Sequence, residues 1–155
     1  MSNKDLVPKL SSLLGGVAGE YFVAAELSAH GYIASVTMRN TKGVDILCSN
    51  TDASKTIGIQ VKTNKGSRRE WMLNQKAERY FADNLFYVFV NLNNGQASPD
   101  YFIVPSKIVA NYTRDTHDNW RRQPRRDGSP HNDSSIRKFR DYEEKYLGRW
   151  NLLGL

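Results

Sequence analysis

The stretch "GIQVKT" (residues 58–63) has the composition of a β-strand, because branched apolar residues alternate with polar ones. Successive side chains of a strand point to opposite faces, so Gln60 and Lys62 share one face while Ile59 and Val61 occupy the other. An amide and an amine therefore stand side by side on an otherwise apolar strand. The pattern predicts a polar site on that face of the sheet.

The preceding strand, predicted over residues 44–49, supplies a carboxylate to the same face. If the loop between the two strands centres on residues 52–53, the numbers of paired residues sum to about 105. Asp45 then lies opposite Gln60, and Lys62 is two residues further along. Six apolar residues of the two strands fall on the other face, which favours this register: Val44, Ile46, Cys48, Ile57, Ile59 and Val61.

A helix is predicted over residues 11–30, with Ser11 or Ser12 as its N-cap and Gly31 as its stop signal. Glycine is a poor helix former, costing about 1 kcal/mol relative to alanine. Several glycines in one helix therefore indicate that another backbone packs closely against it. These glycines are Gly15, Gly16 and Gly19.

Glu20 lies within the predicted apolar stripe of this helix, so it points where a core residue is expected. A buried carboxylate is costly unless it has a partner. The candidate partners are Lys62 or a metal ion held jointly with Asp45. The stripe consists of Leu13, Gly16, Val17, Ala24 and Leu27.

Oxygen ligands and a lysine together are typical of a magnesium site, because Mg²⁺ prefers hard oxygen donors. Asp45 and Glu20 would bind through carboxylates, Gln60 through its amide oxygen and Val61 through its backbone carbonyl. Such an ion could stabilise charge on a scissile phosphate. Lys62 would position the nucleophile or neutralise the developing charge.

The remaining segments predict a mixed α/β protein in which strands and helices alternate. The run "LFYVFVNL" is almost wholly apolar and is typical of a central strand that is buried on both faces. The predicted order is α-β-β-β-α-β-β-α-α. Beyond the elements above, it comprises strands over 32–38, 56–63, 85–92 and 100–104, helices over 74–84, 105–115 and 136–146, and a surface loop over 116–135.

Length and composition predict one domain over residues 1–155, with a core at about 11–104 and a basic loop and helix at about 105–155. The single cysteine, Cys48, fits a reducing compartment. The first residues lack a signal-peptide pattern and no apolar run approaches the ~20 residues of a membrane helix, so we expect a cytoplasmic protein without a membrane partner.

The net charge of +6 favours polyanionic partners, above all nucleic acid. Two clusters of basic residues are candidates for contact with phosphates. The alternative is a charged surface that only keeps the protein soluble. The candidate residues are Lys65, Arg68, Arg69, Arg121, Arg122, Arg125 and Arg126.

Three short motifs, "GE" at 19–20, "GVDI" at 43–46 and "IQVK" at 59–62, resemble the PD-(D/E)xK nuclease superfamily. The resemblance implies a restriction-endonuclease-like domain. Its αβββαβ core would hold a mixed sheet flanked by helices, followed here by a C-terminal helical extension. It also implies an endonuclease that hydrolyses DNA with Mg²⁺ or Mn²⁺, often as a homodimer. The implied catalytic residues are Glu20, Asp45, Gln60 and Lys62.

One position departs from the family pattern, because Gln60 stands where an acidic residue is usual. The sequence is similar in this respect to the Mrr-type restriction endonucleases, which use a QxK variant. The missing charge predicts weaker metal binding. It leaves open a nuclease-like module that binds nucleic acid without cutting it, and a protein-interaction domain is a third alternative.

Overall fold

The computed structural model describes residues 9–38 and 42–155, in which two α-helices and seven strands follow one another. Short 3₁₀ turns at Gln75–Glu78, Asn93–Gly95 and Trp150–Leu153 complete the order. In chain order, the main elements are α1 (Ser12–Ala29), β1 (Ile33–Val36), β2 (Ile46–Ser49), β3 (Thr56–Asn64), β4 (Glu70–Asn74), β5 (Leu85–Asn91), β6 (Asp100–Pro105), α2 (Ser106–Arg122) and β7 (Ile136–Arg140).

Five strands form a mixed sheet in the order β1-β2-β3-β5-β6, in which β3 and β5 are parallel and the other neighbours are antiparallel. Helix α1 packs on one face of the sheet and α2 on the other. The predicted class, a mixed α/β fold with a sheet flanked by helices, is confirmed. A second sheet of two strands, β4 and β7, covers part of the α2 face.

Strand β5 is the centre of the core, because all seven of its residues are buried. Alternate residues serve two apolar clusters, with Val88 facing α1 and Phe89 facing α2. A strand covered on both faces has no need of polar alternation, which explains its continuous apolar sequence. The prediction of a buried central strand is confirmed.

The β2–β3 hairpin has the predicted register, with Ile46 opposite Ile59. Its turn is stabilised by Asp52, whose carboxylate oxygen accepts hydrogen bonds from the backbone N–H of Ser54 at 3.0 Å and from its hydroxyl at 2.7 Å. Ala53 takes the left-handed conformation that the turn requires (φ 58°). Local turn chemistry therefore fixes which residues face each other across the hairpin.

Helix α1 has the predicted caps. The Ser11 hydroxyl accepts a hydrogen bond from the backbone N–H of Leu14 at 3.1 Å, and Gly31 leaves the helix with a φ of +89°. The buried stripe differs from the predicted one, since Leu13 is 67 % exposed. The residues that face the sheet are Gly15, Gly19, Val23 and Leu27, so Glu20 lies on the flank of the stripe and is half-buried.

The helix predicted over 74–84 is wrong. The range contains only one 3₁₀ turn (Gln75–Glu78), and residues 70–74, just before it, form β4, in which buried Trp71 and Leu73 alternate with more exposed residues. The indole of Trp71 donates a hydrogen bond to the carbonyl of Val90 at 3.2 Å. Burial of these two large side chains against the main sheet outweighs the helical propensity of the segment after them.

The final helix predicted over 136–146 is also wrong, because residues 136–140 form β7 and pair with β4. Phe139 is buried, and its ring stacks on that of Phe89 with centroids 4.7 Å apart. Arg137 is buried as well, and its guanidinium pairs with Glu78 and donates to the carbonyl of Ser134 at 2.5 Å. A helix would place only one of these two side chains towards the core.

Helix α2 extends to Arg122, seven residues beyond its predicted end, so the irregular loop that follows is shorter than expected. No proline or glycine interrupts the chain between Pro105 and Pro124, and the buried residues recur at helical spacing. These residues are Ser106, Val109, Ala110 and Thr113.

An ion-pair network stabilises the pair β4–β7. Both oxygens of Glu70 are engaged, one by the amine of Lys138 at 2.7 Å and the other by the guanidinium of Arg140 at 2.6 Å. The hydrogen bond from Lys138 is the main cause that lowers the pKa of Glu70 to about 2. The network links the start of β4 to the end of β7.

We expect Glu70→Gln to lower the free energy of unfolding at pH 7 by about 1–2 kcal/mol, allowing for solvent screening of the partners. Because the folded-state pKa of Glu70 is depressed, this contribution is present above its ordinary value of 4.5 and is lost as the pH falls towards 2. Urea titrations between pH 7 and pH 3 measure the difference. Glu143→Gln, an exposed site in the turn after β7, is the control, and a difference that stays constant with pH contradicts the electrostatic origin.

Candidate active site

Asp45 lies beside β3 at the point where the β2 ladder ends. The last residue pair of that ladder is Ile46 with Ile59. The next backbone N–H of β3 that points to the β2 side is that of Val61, and it needs an acceptor from outside the ladder. The Asp45 carboxylate provides it, with Oδ2 2.7 Å from the Val61 nitrogen. The amide nitrogen of Gln60 donates to the same oxygen at 2.6 Å.

The electrostatic environment of Asp45 disfavours its charge. Burial raises the pKa of Asp45 above 3.8, although the hydrogen bond from Val61, the charge of Lys62 and the hydrogen bond from Gln60 all act to lower it. Lys62 is half-buried on the same strand. A carboxylate with a raised pKa gains from a further positive charge, whether a cation or a proton.

Gln60 and Lys62 project from the sheet face that α2 covers. Gln60 is paired with Tyr87 and Lys62 with Phe89 on the parallel neighbour β5, and these aromatic residues belong to the cluster packed against α2. The other face, with Ile59, carries α1. The open edge of β3 next to Asp45 is therefore where groups from both faces can meet.

Glu20 belongs to α1, the helix that packs on the face of the sheet opposite Gln60 and Lys62. A Cβ added at Gly19 would lie 1.9 Å from the Thr63 hydroxyl, which shows that α1 crosses directly over β3. Glu26 faces Tyr101 of β6, whose pKa is raised to about 12 by burial and, to a smaller extent, by the charge of Glu26. Glu20 lies about 120° from Glu26 around the helix axis, so the two carboxylates are on different flanks of α1.

The structure thus brings Asp45, Gln60, Val61 and Lys62 together, and Glu20 is half-buried on α1. Direct contact of Glu20 with this group stays a prediction. Within residues 9–38 and 42–155, no group of three or more His, Cys, Asp or Glu side chains is placed to hold a metal ion. An ion here therefore depends on neutral oxygens in addition to the carboxylates.

Two tyrosines, Tyr80 and Tyr87, also border the site. Burial and the charge of Asp45 raise the pKa of Tyr80, and burial, Tyr80 and Asp45 raise that of Tyr87 to about 12. The Tyr80 hydroxyl lies close to the Gly43 backbone: a Cβ added at Gly43 would be 2.2 Å from the hydroxyl oxygen. Neither residue was predictable from the sequence, because only the register of β5 against β3 brings Tyr87 beside Gln60, and Tyr80 lies in a segment predicted as helix.

The first basic cluster lies in the turn between β3 and β4. The amine of Lys65 donates to the carbonyl of Leu10 at 3.1 Å, and Arg69 forms an ion pair with Glu144. Arg68 is exposed. Two of the three predicted phosphate contacts are therefore already engaged by groups of the protein.

The second basic cluster lies at the end of α2 and in the loop after it. Arg121 is 3.9 Å from Asp133, which agrees with the alternative that some of these arginines pair within the protein. Arg122, Arg125 and Arg126 are exposed, and none of them forms an ion pair with another described residue. These three guanidinium groups are the ones directed to solvent.

The β4–β7 pair connects the two basic clusters. Asp141, just after β7, donates its backbone N–H to the carbonyl of Arg69 at 3.1 Å. At the other end, the N–H of Gln75 donates to the carbonyl of Ser135 in the loop that holds the second cluster. The outer face between them spans roughly 15 Å. It carries Glu70, Met72, Asn74, Ile136, Lys138 and Arg140.

The fold is similar to that of a solved bacterial homing endonuclease, I-Ssp6803I, with a TM-score of 0.57 over 94 % of each chain. The sequence identity is 11 %, so the likeness concerns the fold. No protein-family model and no curated protein matches the sequence. Neither α-helix of the described residues is long and apolar enough to cross a membrane.

Proposed function

We propose that this protein is a metal-dependent nuclease that hydrolyses DNA phosphodiester bonds at the edge of β3. The observation that carries the proposal is the Asp45 carboxylate, fixed by the Val61 N–H and the Gln60 amide beside the charge of Lys62. The homing-endonuclease-like fold supports it, and so does the resemblance of the motifs to the PD-(D/E)xK superfamily.

The donor set fits Mg²⁺ or Mn²⁺. Both hydrogen bonds of Asp45 fall on Oδ2, so Oδ1 is the oxygen that would face a cation. Glu20, the amide oxygen of Gln60 and the carbonyl of Val61 are the further ligands that we propose. A bound ion would supply Lewis-acid stabilisation of the phosphate charge.

The side chains of this protein have their own roles in the proposed reaction. Lys62 would bind a non-bridging phosphate oxygen and offset the negative charge that develops on it. The backbone N–H of Val61 and the amide of Gln60 hold the Asp45 carboxylate in one orientation before substrate arrives. Tyr80 would restrict the loop that carries Asp45 through its contact with Gly43.

Plasmid cleavage tests this proposal. Wild-type protein is expected to nick or linearise supercoiled DNA with Mg²⁺ or Mn²⁺ and to be inactive with EDTA. Lys62→Ala is expected to reduce the rate at least about 100-fold, the usual effect of losing one charge-stabilising group. Lys107→Ala, an exposed site on α2, is the matched control. Equal activity in wild type and Lys62→Ala would assign the cleavage to a contaminant.

A second candidate is a nuclease-like module that binds nucleic acid without cutting it. It is favoured by Gln60, which brings no charge and directs its amide nitrogen, not its oxygen, to Asp45. Calorimetric titration with Mn²⁺ separates the two candidates. Binding by wild type that is lost in Asp45→Ala supports the nuclease, and no binding by wild type supports the module.

We propose that DNA contacts the second basic cluster and the outer face of β4–β7. A pair of antiparallel strands fits the major groove of DNA, and Lys138 and Arg140 lie on this face. Arg122, Arg125 and Arg126 would contact the flanking phosphates. The positions predicted for Lys65, Arg68, Arg69 and Arg121 remain candidates at the margins of this surface.

Replacing Arg122, Arg125 and Arg126 together by alanine is expected to lower the slope of log K against log salt by about 2–3, because each lost phosphate contact removes about 0.9. Fluorescence anisotropy with a labelled duplex measures this slope. A control triple variant removes equal charge elsewhere and is expected to change it by less than about 1. An unchanged slope in the first variant would exclude these arginines from the interface. The control residues are Lys107, Lys145 and Arg149.

A further inference from the structure

A cavity of about 320 Å³ lies between α2 and β7, apart from the residues of the proposed reaction. Residues of α2 form one wall, and β7 with the end of the loop before it forms the other. The volume is at the lower end of the range for sites that bind small molecules, about 300–1,000 Å³. The lining includes Thr116, His117, Trp120, Ser134, Arg137 and Lys138.

Strand β7 turns towards this cavity the backbone edge that β4 leaves open. The N–H of Asp141 and the carbonyl of Ser135, which flank β7, both bond to the β4 side, at 3.1 Å and 2.8 Å. Backbone groups of a strand alternate between its two edges, so the N–H and carbonyl of Lys138 point away from β4. The lining includes no described residue of β4, so these groups border the cavity. A donor beside an acceptor matches the hydrogen-bonding edge of a nucleobase.

An aromatic wall and fixed polar groups surround the same space. The indole of Trp120 is 38 % exposed, and the ring of His131 stacks on it with centroids 4.2 Å apart. The Thr116 hydroxyl donates to a carbonyl of its own helix at 2.7 Å, so its oxygen can still accept. The Ser134 hydroxyl accepts a backbone N–H at 3.1 Å and can donate its own proton. An aromatic surface ringed by donors and acceptors is typical of sites for an extruded base.

The β7 wall is cationic. Arg137 is 7 % exposed, and its guanidinium is fixed by Glu78 and by two backbone carbonyls at 2.5 Å and 3.0 Å. Lys138 and Arg140 share the one carboxylate of Glu70. Two carboxylates therefore serve three cations, and one positive charge is left over. No described aspartate or glutamate lines the cavity itself. The surplus matches the single negative charge of one phosphodiester group.

We propose that this cavity binds a single unpaired nucleotide of a DNA strand, with the base against Trp120 and the phosphate at Arg137 and Lys138. The inference rests on the proposed DNA contact along β4–β7, which brings a strand to the mouth of the cavity because Lys138 belongs to both. A paired base must first be unstacked and unpaired before it can enter such a site. The preferred substrate is therefore DNA that already contains an unpaired base.

Fluorescence anisotropy with three labelled duplexes tests the cavity, in EDTA so that no strand is cut and at one fixed salt concentration. One duplex is perfectly paired, one carries a single bulged adenosine, and one carries an abasic residue in the same bulge. Wild-type protein is expected to bind the adenosine bulge at least about 5-fold more tightly than either other duplex, the usual effect of stacking one base on an aromatic side chain.

Two variants of the cavity are expected to lose this preference. Trp120→Ala removes the aromatic wall and is expected to bind the three duplexes equally, within about 2-fold. Thr116→Phe fills the cavity while Trp120 stays in place, and the same result is expected. Tyr21→Ala removes an aromatic side chain that is 64 % exposed on α1 and is the matched control, which is expected to keep the wild-type preference. Thermal unfolding checks that each variant is folded.

The outcomes separate this inference from the proposed nuclease. Equal affinity of the wild type for all three duplexes, or a preference that survives in both cavity variants, overturns the cavity and leaves the DNA contact intact. Failure to bind any duplex contradicts the DNA contact and the cavity together. A preference for the adenosine bulge in a protein that cuts no DNA supports the cavity and contradicts only the nuclease.

Discussion

Asp45→Asn is expected to leave the thermal unfolding midpoint unchanged or raised at pH 7.5 while lowering DNA cleavage at least about 1,000-fold. The loss of cleavage follows from losing several kcal/mol of charge stabilisation when a carboxylate ligand becomes neutral. The effect on stability has a separate cause. Burial raises the pKa of Asp45, so its charged form is less favourable in the folded protein than in the unfolded chain.

The pH dependence of this stability difference follows from the direction of the shift. Above the folded-state pKa of Asp45, the wild type bears the cost of the buried charge, and asparagine removes that cost. As the pH falls through that pKa, Asp45 takes up a proton and the two proteins converge. Asparagine retains an oxygen that can accept the hydrogen bond from Val61.

Scanning calorimetry between pH 4 and pH 8 measures the midpoints, and plasmid cleavage measures the activity. A midpoint lowered by more than about 5 °C in Asp45→Asn would show that the carboxylate is a structural group of the hairpin. Asp52→Asn alters the turn of the same hairpin and serves as the control, because Asp52 binds Ser54 and lies away from β3's open edge. It is expected to leave the cleavage rate unchanged.

Gly19→Ala is expected to destabilise the protein by about 2–3 kcal/mol, the upper part of the range of about 1–3 kcal/mol for overfilling a packed site. The new Cβ would lie 1.9 Å from the Thr63 hydroxyl and 3.0 Å from its Cβ. Thr63 is β-branched and held between α1 and the sheet, so its side chain has little freedom to turn away. The helix must shift on β3, and Glu20 shifts with it, so cleavage is expected to fall as well.

Gly16→Ala is the matched control on the same helix. No atom lies within 4 Å of a Cβ added at Gly16, and alanine favours the helix by up to about 1 kcal/mol. Chemical denaturation is therefore expected to show opposite signs for the two substitutions. Equal stability of Gly19→Ala and Gly16→Ala would contradict the close approach of α1 to β3. Adding Thr63→Ala to Gly19→Ala removes two of the three close atoms and is expected to restore part of the loss.

The hairpin and the ends of α1 were predictable because local chemistry determines them. Period-two alternation and the turn at residues 52–53 set the register that places Asp45 beside Gln60. Ser11 and Gly31 mark the helix ends by their own hydrogen bonding and backbone preference. Each of these signals acts over a few residues and is therefore visible in the sequence.

The pair β4–β7 was not predictable in this way, because its strands pair residues about 65 positions apart. Glu70 meets Arg140 only in the folded chain, and the short charged sequence of β7 has no strong periodicity of its own. The buried stripe predicted for α1 is also displaced around the helix from the observed one. The many apolar residues of this helix are compatible with several stripes. The close contact of Gly19 with Thr63, which selects the true stripe, is a tertiary event.

The most direct test of the central claim is the rate of plasmid cleavage by wild type, Asp45→Asn and Lys62→Ala, purified in parallel and assayed with Mg²⁺ and with EDTA. The proposed site predicts cleavage by wild type with Mg²⁺ alone, with a rate at least about 1,000-fold lower for Asp45→Asn and at least about 100-fold lower for Lys62→Ala. Folded protein that cuts equally well in all three forms would contradict a catalytic role for the edge of β3. So would a folded, DNA-binding wild type that does not cut with any divalent ion.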